Sequence, residues 1–256
     1  MPRTPRSRLF AAALGLTLAA TACGGDDDAS SDTSADTQAT TSSQAATTVT
    51  EIPLETPPQP ALDYAGYRAL PTACGADAPP ERTEAQFDAP DDMDIDPDSP
   101  PTATISTSCG DIVVILTPQQ APATVNSFAF LAESGYFDGT VSHRIVPGFV
   151  IQAGDPTATG RGGPGYVIAD EFPQPGFLYE RGVLAMANAG PGTTGSQFFI
   201  VLSDAPLPPQ FSVFGTVIEG EEVLDAIAAI PLGVGPTGEQ SAPLEALYIN
   251  TVTIDG

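Results

Sequence analysis

From Thr102 onward the chain alternates apolar and polar positions in short runs. Thr102 to Thr107 and Ile112 to Leu116 read as two strands joined by a tight turn at Cys109, Gly110 and Asp111. Pro122 then suits a first helical position, and Val125, Phe128, Ala129 and Ala132 recur at helical spacing until Gly135 stops them. Strand-like runs follow around Ser142 to Ile145, Gly148 to Gln152, Val183 to Ala187, Gln197 to Leu202 and Val213 to Ile218. A second helix fits Glu221 to Ile230, with acids in its first turn and Val223, Ile227 and Ile230 on one face, and Tyr248 to Ile254 closes with a strand. Many short strands and two helices predict a mainly β domain over 102–256, a closed antiparallel barrel with helical caps.

Upstream the pattern is different. The first 22 residues carry Arg3, Arg6 and Arg8 without an acid, then an apolar run from Leu9 to Ala20, the layout of a secretory signal. Cys23 follows Ala20, Thr21 and Ala22 and precedes Gly24, Gly25 and an acidic tract. This arrangement resembles a bacterial lipoprotein processing site, so Cys23 is the expected lipid-bearing residue, with Ala20 standing where Leu is usual. Residues 23–60 have almost no large apolar side chain and predict a flexible, disordered tether. Eleven prolines between 51 and 101 argue against helix or central strand, so 61–101 reads as a Pro-rich extended arm lying on the domain. With Cys23 lipidated, Cys74 and Cys109 are left. They either form a disulfide tying the arm to the domain or stand as two separate buried thiols.

Composition narrows the chemistry. All 8 basic residues are arginine, against 32 Asp and Glu, for a formal charge of −24 over 256 residues. Residues 101–256 hold 15 acids and only three arginines, Arg144, Arg161 and Arg181. Such a surface repels phosphate backbones and anionic headgroups, which argues against nucleic-acid partners and leaves the N-terminal lipid as the expected membrane contact. One histidine and three cysteines are too few for a zinc or iron–sulfur site, and no metal or cofactor is expected. Gly160 to Gly165 matches a dinucleotide fingerprint by letter, but Tyr166, Val167 and Ile168 stand where a helix should start; a mobile glycine loop is expected. Asp92, Asp94 and Asp96 imitate a calcium loop whose required glycine is replaced by Pro97. His143 has no catalytic serine or cysteine context and reads as a structural residue.

Two segments combine glycine, large apolar groups and uncharged hydrogen-bonding side chains: Ser142 to Asp155 (SHRIVPGFVIQAGD) and Gly182 to Ile200 (with MANAGPGTTGSQFFI). In a strand Phe149 and Ile151 share one face and Val150 and Gln152 the other, unless the Gly148 turn breaks the alternation, so periodicity alone leaves open which of them line a pocket. With FSVFG at 211–215, these segments resemble the cyclophilins, peptidyl-prolyl cis-trans isomerases, over about 102–254. The resemblance implies a closed eight-stranded barrel capped by two α-helices, acting without cofactor on Pro-containing polypeptides. It further implies Arg144, Gln152 and Asn188 as catalytic residues and Phe149, Val150, Ala187, Gln197, Phe199, Leu207 and Phe211 as substrate-binding residues. Val150 stands where many members have Met, Pro206 where cyclosporin-sensitive members have Trp, and Phe211 where a histidine is usual, so weak cyclosporin binding is expected.

These residue types suit rotation about a prolyl bond on physical grounds as well. A barrier of ~20 kcal/mol protects the planar amide. In the twisted state the prolyl nitrogen gains a lone pair to which a fixed guanidinium can donate. The expected protein is thus a monomeric, lipid-anchored folding catalyst for exported proteins on the outer face of the cell membrane. The alternative is a non-catalytic cyclophilin-like module that only holds Pro-containing segments.

Overall fold

The computed structural model describes residues 59–82 and 84–256. The expected signal over 1–22, the lipidation residue Cys23 and the tether up to residue 58 lie outside the described residues. In chain order the elements are α1 (Tyr64–Arg68), a 3₁₀ turn (Ala73–Gly75), β1 (Thr102–Thr107), β2 (Gly110–Leu116), α2 (Pro122–Glu133), β3 (Arg144–Val146), β4 (Val150–Ala153) and β5 (Val183–Met186). They continue with β6 (Phe198–Val201), β7 (Val213–Glu219), α3 (Glu221–Ala228), β8 (Leu232–Val234), β9 (Gln240–Pro243) and β10 (Ile249–Asp255).

Eight strands form one curled antiparallel sheet in the order β10-β1-β2-β7-β5-β6-β4-β3, and β8 and β9 make a separate hairpin. The barrel expected to be closed is not: among the described residues no ladder joins the edge strands β10 and β3. The cause lies in β3, which is cut to three residues by Pro147 and Gly148 and is too short to pair along the seven of β10. The gap is bridged ahead of β3, where Val141 meets Tyr248, Ser142 N donates to Leu247 O at 2.9 Å and Ile249 N at the start of β10 donates to Thr140 O at 2.9 Å.

Alternation sends Ala103 and Ile105 of β1 and Ile112, Val114 and Leu116 of β2 into the curl. Phe128 of α2 fills it and meets Phe198 and Phe214 with ring centroids 5.7 and 5.1 Å apart. The first turn of α2 lacks a side-chain cap from Ala121; the carboxylate of Glu171 instead accepts from Ala123 N and Thr124 N at 3.0 and 2.8 Å. Strands β5 and β6 are buried at every position. A half-buried sheet would leave one face wet, so this continuous burial locates a second apolar layer outside the curl. It comprises Val150, Tyr179, Val183, Ala185, Phe199, Val201 and Val213, with Phe149, Leu207 and Phe211 packed on it.

The arm contains helix after all. Residues 61–70 are free of proline, and Asp63 caps α1 by accepting from Gly66 N at 2.8 Å. Tyr67 of α1 is buried and donates to His143 O at 3.1 Å, and Tyr64 donates to Gly139 O at 3.0 Å. The sulfurs of Cys74 and Cys109 are bonded, tying the arm to the β1–β2 turn. Closing a loop of sequence separation 35 in the unfolded chain is worth roughly 4 kcal/mol in the chain-entropy model.

Candidate active site

The strand register explains how the site is assembled. Arg144 pairs with Gln152 across β3 and β4, Gln152 with Phe199 across β4 and β6, and Phe199 with Ala185 across β6 and β5. Directly opposed residues share a sheet face, so these four form one row on the outer face. Phe149 escapes the alternation because it lies in the turn between β3 and β4. Pro147 and Gly148, the latter at φ 73°, shape that turn, and Phe149 N donates to Val146 O at 2.9 Å. The Phe149 ring can therefore face the same side as Val150 and Gln152.

The far wall comes from the segment after β6. Buried Tyr179 donates its hydroxyl to Phe211 O at 3.0 Å, Ala205 N donates to Tyr179 O at 2.9 Å, and Asn188 Nδ2 donates to Gln210 O at 2.8 Å. Burial pushes the Tyr179 hydroxyl above its ordinary pKa, although the bond to Phe211 O counteracts it. These ties set Leu207 and Phe211 opposite the row. Phe211 stands edge-on to Phe199, centroids 5.4 Å apart at 87°. The result is an open cavity of about 220 Å³ lined by Arg144, Phe149, Val150, Gln152, Ala187, Asn188, Phe199, Leu207 and Phe211. Gln197 is not in this lining. It joins Gln152, Ala187 and Asn188 around a second cavity of about 580 Å³.

Arg144 is held by a residue that sequence reasoning missed. Its Nε and Nη2 donate to the two carboxylate oxygens of Glu239 at 2.8 and 3.0 Å, and its guanidinium carbon lies 5.8 Å from the centroid of Phe149. Donation from Arg144 holds the Glu239 carboxyl below the ordinary carboxylate range, against partial burial. The bidentate pair fixes the guanidinium plane and leaves Nη1 free of Glu239. Glu239 sits in the β8–β9 turn, where Gly235 N donates to Glu239 O at 2.8 Å. The segment around it, rich in Gly and Pro, carries no periodic signal, and only charge matching to Arg144 could have singled it out.

Gln152 Nε2 donates to Gln197 Oε1 at 3.0 Å, and Gln197 Nε2 to Gly162 O at 2.9 Å, so the two amides are oriented by the glycine loop. That loop is tied down where a mobile one was expected: Gly162 N donates to Asp155 Oδ2 at 3.1 Å and Phe87 N to Pro164 O at 2.8 Å. Burial alone would raise the Asp155 pKa, but bonds from Thr157 and Gly162 bring it below the ordinary value. His143 lies just ahead of β3 with Nδ1 buried and unbonded. Desolvation lowers its pKa, against Asp155, and favours the neutral ring.

An apolar cup of this volume, rimmed by amides and one oriented guanidinium, thus sits on the outer face of a curled eight-stranded antiparallel sheet. Residues 102–254 match the family model "Cyclophilin type peptidyl-prolyl cis-trans isomerase/CLD", and the chain belongs to this family. It is 45% identical over 172 residues to peptidyl-prolyl cis-trans isomerase B of Streptomyces anulatus, covering 60% of this chain and 95% of that one. It is 42% identical over 176 residues to probable peptidyl-prolyl cis-trans isomerase B of Mycobacterium tuberculosis, covering 62% of this chain; the match spans only 56% of that relative's length. Among solved structures, a Cryptosporidium parvum cyclophilin type peptidyl-prolyl cis-trans isomerase superposes with a TM-score of 0.57 at 34% identity over 62% of this chain and 99% of its own. The same protein, solved in the presence of the dipeptide Ala-Pro, gives 0.56 at 36% identity, over 60% and 99%.

Proposed function

We propose that this protein is a peptidyl-prolyl cis-trans isomerase working at the 220 Å³ cavity. The observation that carries the reading is the row Arg144, Gln152, Phe199, which sets an oriented cation beside an aromatic floor. Phe149, Phe199, Leu207 and Phe211 take the prolyl ring, while Gln152 and Asn188 hold the peptide on either side of the rotating bond, and Ala187 shapes the rim. As the amide twists, its nitrogen pyramidalises and its lone pair accepts from Arg144 Nη1. The planar nitrogen is a much poorer acceptor, so the contact is stronger in the transition state than in the ground state. No bond is made or broken, and the path is set by rotation alone.

A protease-coupled assay with an Ala-Pro peptide tests this on the full chain. Cis-to-trans conversion is expected to run well above the uncatalysed rate, which takes tens of seconds or more. Conversion at the uncatalysed rate, with peptide bound, supports the second reading, a module that only holds Pro-containing segments. The Glu239 pairing favours that reading, because it already occupies two N–H edges of Arg144.

The remaining parts of the proposal concern place and partners. Arg-rich residues 1–22 support a signal, and Cys23 supports lipid attachment through a 23–60 tether to the outer face of the cell membrane. The clients would be exported, Pro-containing chains, and the working unit a monomer. Cys23→Ser should move the protein from the membrane fraction to the soluble one; retention in the membrane contradicts the anchor.

A further inference from the structure

The arm over 61–101 lies outside the family-matched residues 102–254, yet it holds both ends of the glycine loop that orients Gln152. At the start of the loop Tyr64 N of α1 donates to Thr157 O at 2.9 Å. At its far end Gln86 Nε2 donates to Gly163 O at 2.9 Å and Phe87 N to Pro164 O at 2.8 Å. Gly165, at φ 99°, follows so closely that a Cβ there would come within 2.6 Å of Phe87 O. The arm is in turn fixed to the domain. The Phe87 ring stands edge-on to Phe130 of α2, centroids 4.9 Å apart, and Met93 N donates to Asn126 Oδ1 of the same helix at 2.8 Å. The Cys74–Cys109 disulfide secures the segment that follows α1.

Three consecutive carbonyls of the loop are divided between the arm and the site. Gly163 O and Pro164 O accept from the arm, whereas Gly162 O accepts from Gln197 Nε2 at 2.9 Å. A carbonyl can only accept, so Gly162 O obliges Gln197 to turn its amino group toward the loop and its Oε1 away. Gln152 must then meet that oxygen with Nε2, as it does at 3.0 Å. Taken alone, two paired glutamine amides are satisfied equally well either way round. The direction of the Gln152 amide is therefore set by where Gly162 O stands, and the arm fixes that through the next two residues.

We propose that the arm is a working part of the isomerase: Gln86 and Phe87 are positioning residues that hold the glycine loop and, through Gly162 O and Gln197, fix the direction in which Gln152 presents its amide to the peptide. The proposal rests on the isomerase reading for its kinetic consequence alone.

The test uses the full chain, an Ala-Pro peptide and exchange NMR below the melting temperature. Phe87→Ala removes the ring that anchors the arm. Exchange at saturating peptide should slow about threefold with peptide affinity little changed, because the cup that takes the prolyl ring is untouched. Phe87→Leu, which keeps an apolar anchor, should restore most of the rate. Gln86→Glu keeps the size but offers no N–H to Gly163 O, and should slow exchange less than Phe87→Ala. In a Gln152→Ala background neither change should cost anything further, whereas a merely structural role would lower the rate equally in both backgrounds. In the free protein the Gln152 side-chain amide resonances should shift in Phe87→Ala and in Gln86→Glu. If Phe87→Ala does not fold, Gln86→Glu carries the same comparisons. Unchanged exchange in every folded arm variant, or an equal further loss on top of Gln152→Ala, overturns the arm's role. Absence of exchange in the unaltered protein overturns the isomerase reading, while shifted Gln152 resonances still support the positioning; unshifted resonances overturn the positioning whether or not the protein catalyses exchange.

Discussion

On one side of the wall formed by Gln152, Ala187 and Asn188 lies a cavity of about 220 Å³ lined by Phe149, Val150, Phe199, Leu207 and Phe211; on the other lies one of about 580 Å³ lined by Arg161, amides and hydroxyls. The first is made by strand register and aromatic packing, so its shape is set by the same burial that stabilises the sheet. The second is made by loops and an arm held to each other by hydrogen bonds such as Gln86 to Gly163 and Gln197 to Gly162. The difference separates two tasks. A rigid apolar cup can hold a ring while one bond turns, whereas a loop-built cavity of mixed lining offers hydrogen-bonding groups to the residues that flank it.

The largest effect expected from breaking this division is Phe199→Ala. Phe199 is 5% exposed and anchors the apolar cup, so its truncation should cost about 3 kcal/mol in urea unfolding and raise KM for an Ala-Pro peptide. An unchanged KM would mean that the ring is held elsewhere.

Glu239→Gln sharpens the comparison from the side of Arg144. Loss of the bidentate pair frees the guanidinium, and kcat should fall about threefold with KM little changed. The paired Glu239 has its pKa lowered from 4.5, so the ion pair is complete above that value and is lost as pH falls through the lower folded-state value. The kcat profile should therefore carry an acid limb below pH 4.5 that the Gln variant lacks. A rise in kcat would instead identify the pair as a brake.

The smallest expected effect concerns cyclosporin. The chain has no Trp, Pro206 is exposed at the cup's edge, and Phe211 replaces a polar ring, which together remove a stacking surface and a hydrogen-bonding group. Binding weaker than micromolar by calorimetry is expected. A submicromolar constant would show that the cup alone suffices for the drug.

Much of this organisation is written locally in the chain. The β1–β2 hairpin was legible because Ala103, Ile105, Ile112, Val114 and Leu116 alternate with polar neighbours, and α2 because Val125 and Phe128 repeat at helical spacing after Pro122. The residues that meet in the cup were legible as a resemblance, but periodicity could not place Phe149, since a turn residue obeys no strand alternation. Openness of the sheet was not legible, because it depends on how far β3 runs against a strand more than a hundred residues away. Glu239 and Gln86 were missed for a related reason. Each sits in irregular chain, and its meaning arises only from what it meets: Arg144 and Gly163.

Exchange NMR on an Ala-Pro peptide, with the full chain and with Arg144→Ala beside it, tests the central claim most directly. Cis and trans resonances should exchange rapidly with the unaltered protein. With Arg144→Ala the exchange should slow at least tenfold, about 1.4 kcal/mol of lost transition-state stabilisation, while the peptide still shifts the Phe199 and Phe211 resonances and the melting temperature holds. Undiminished exchange in the Arg144→Ala protein would contradict the account.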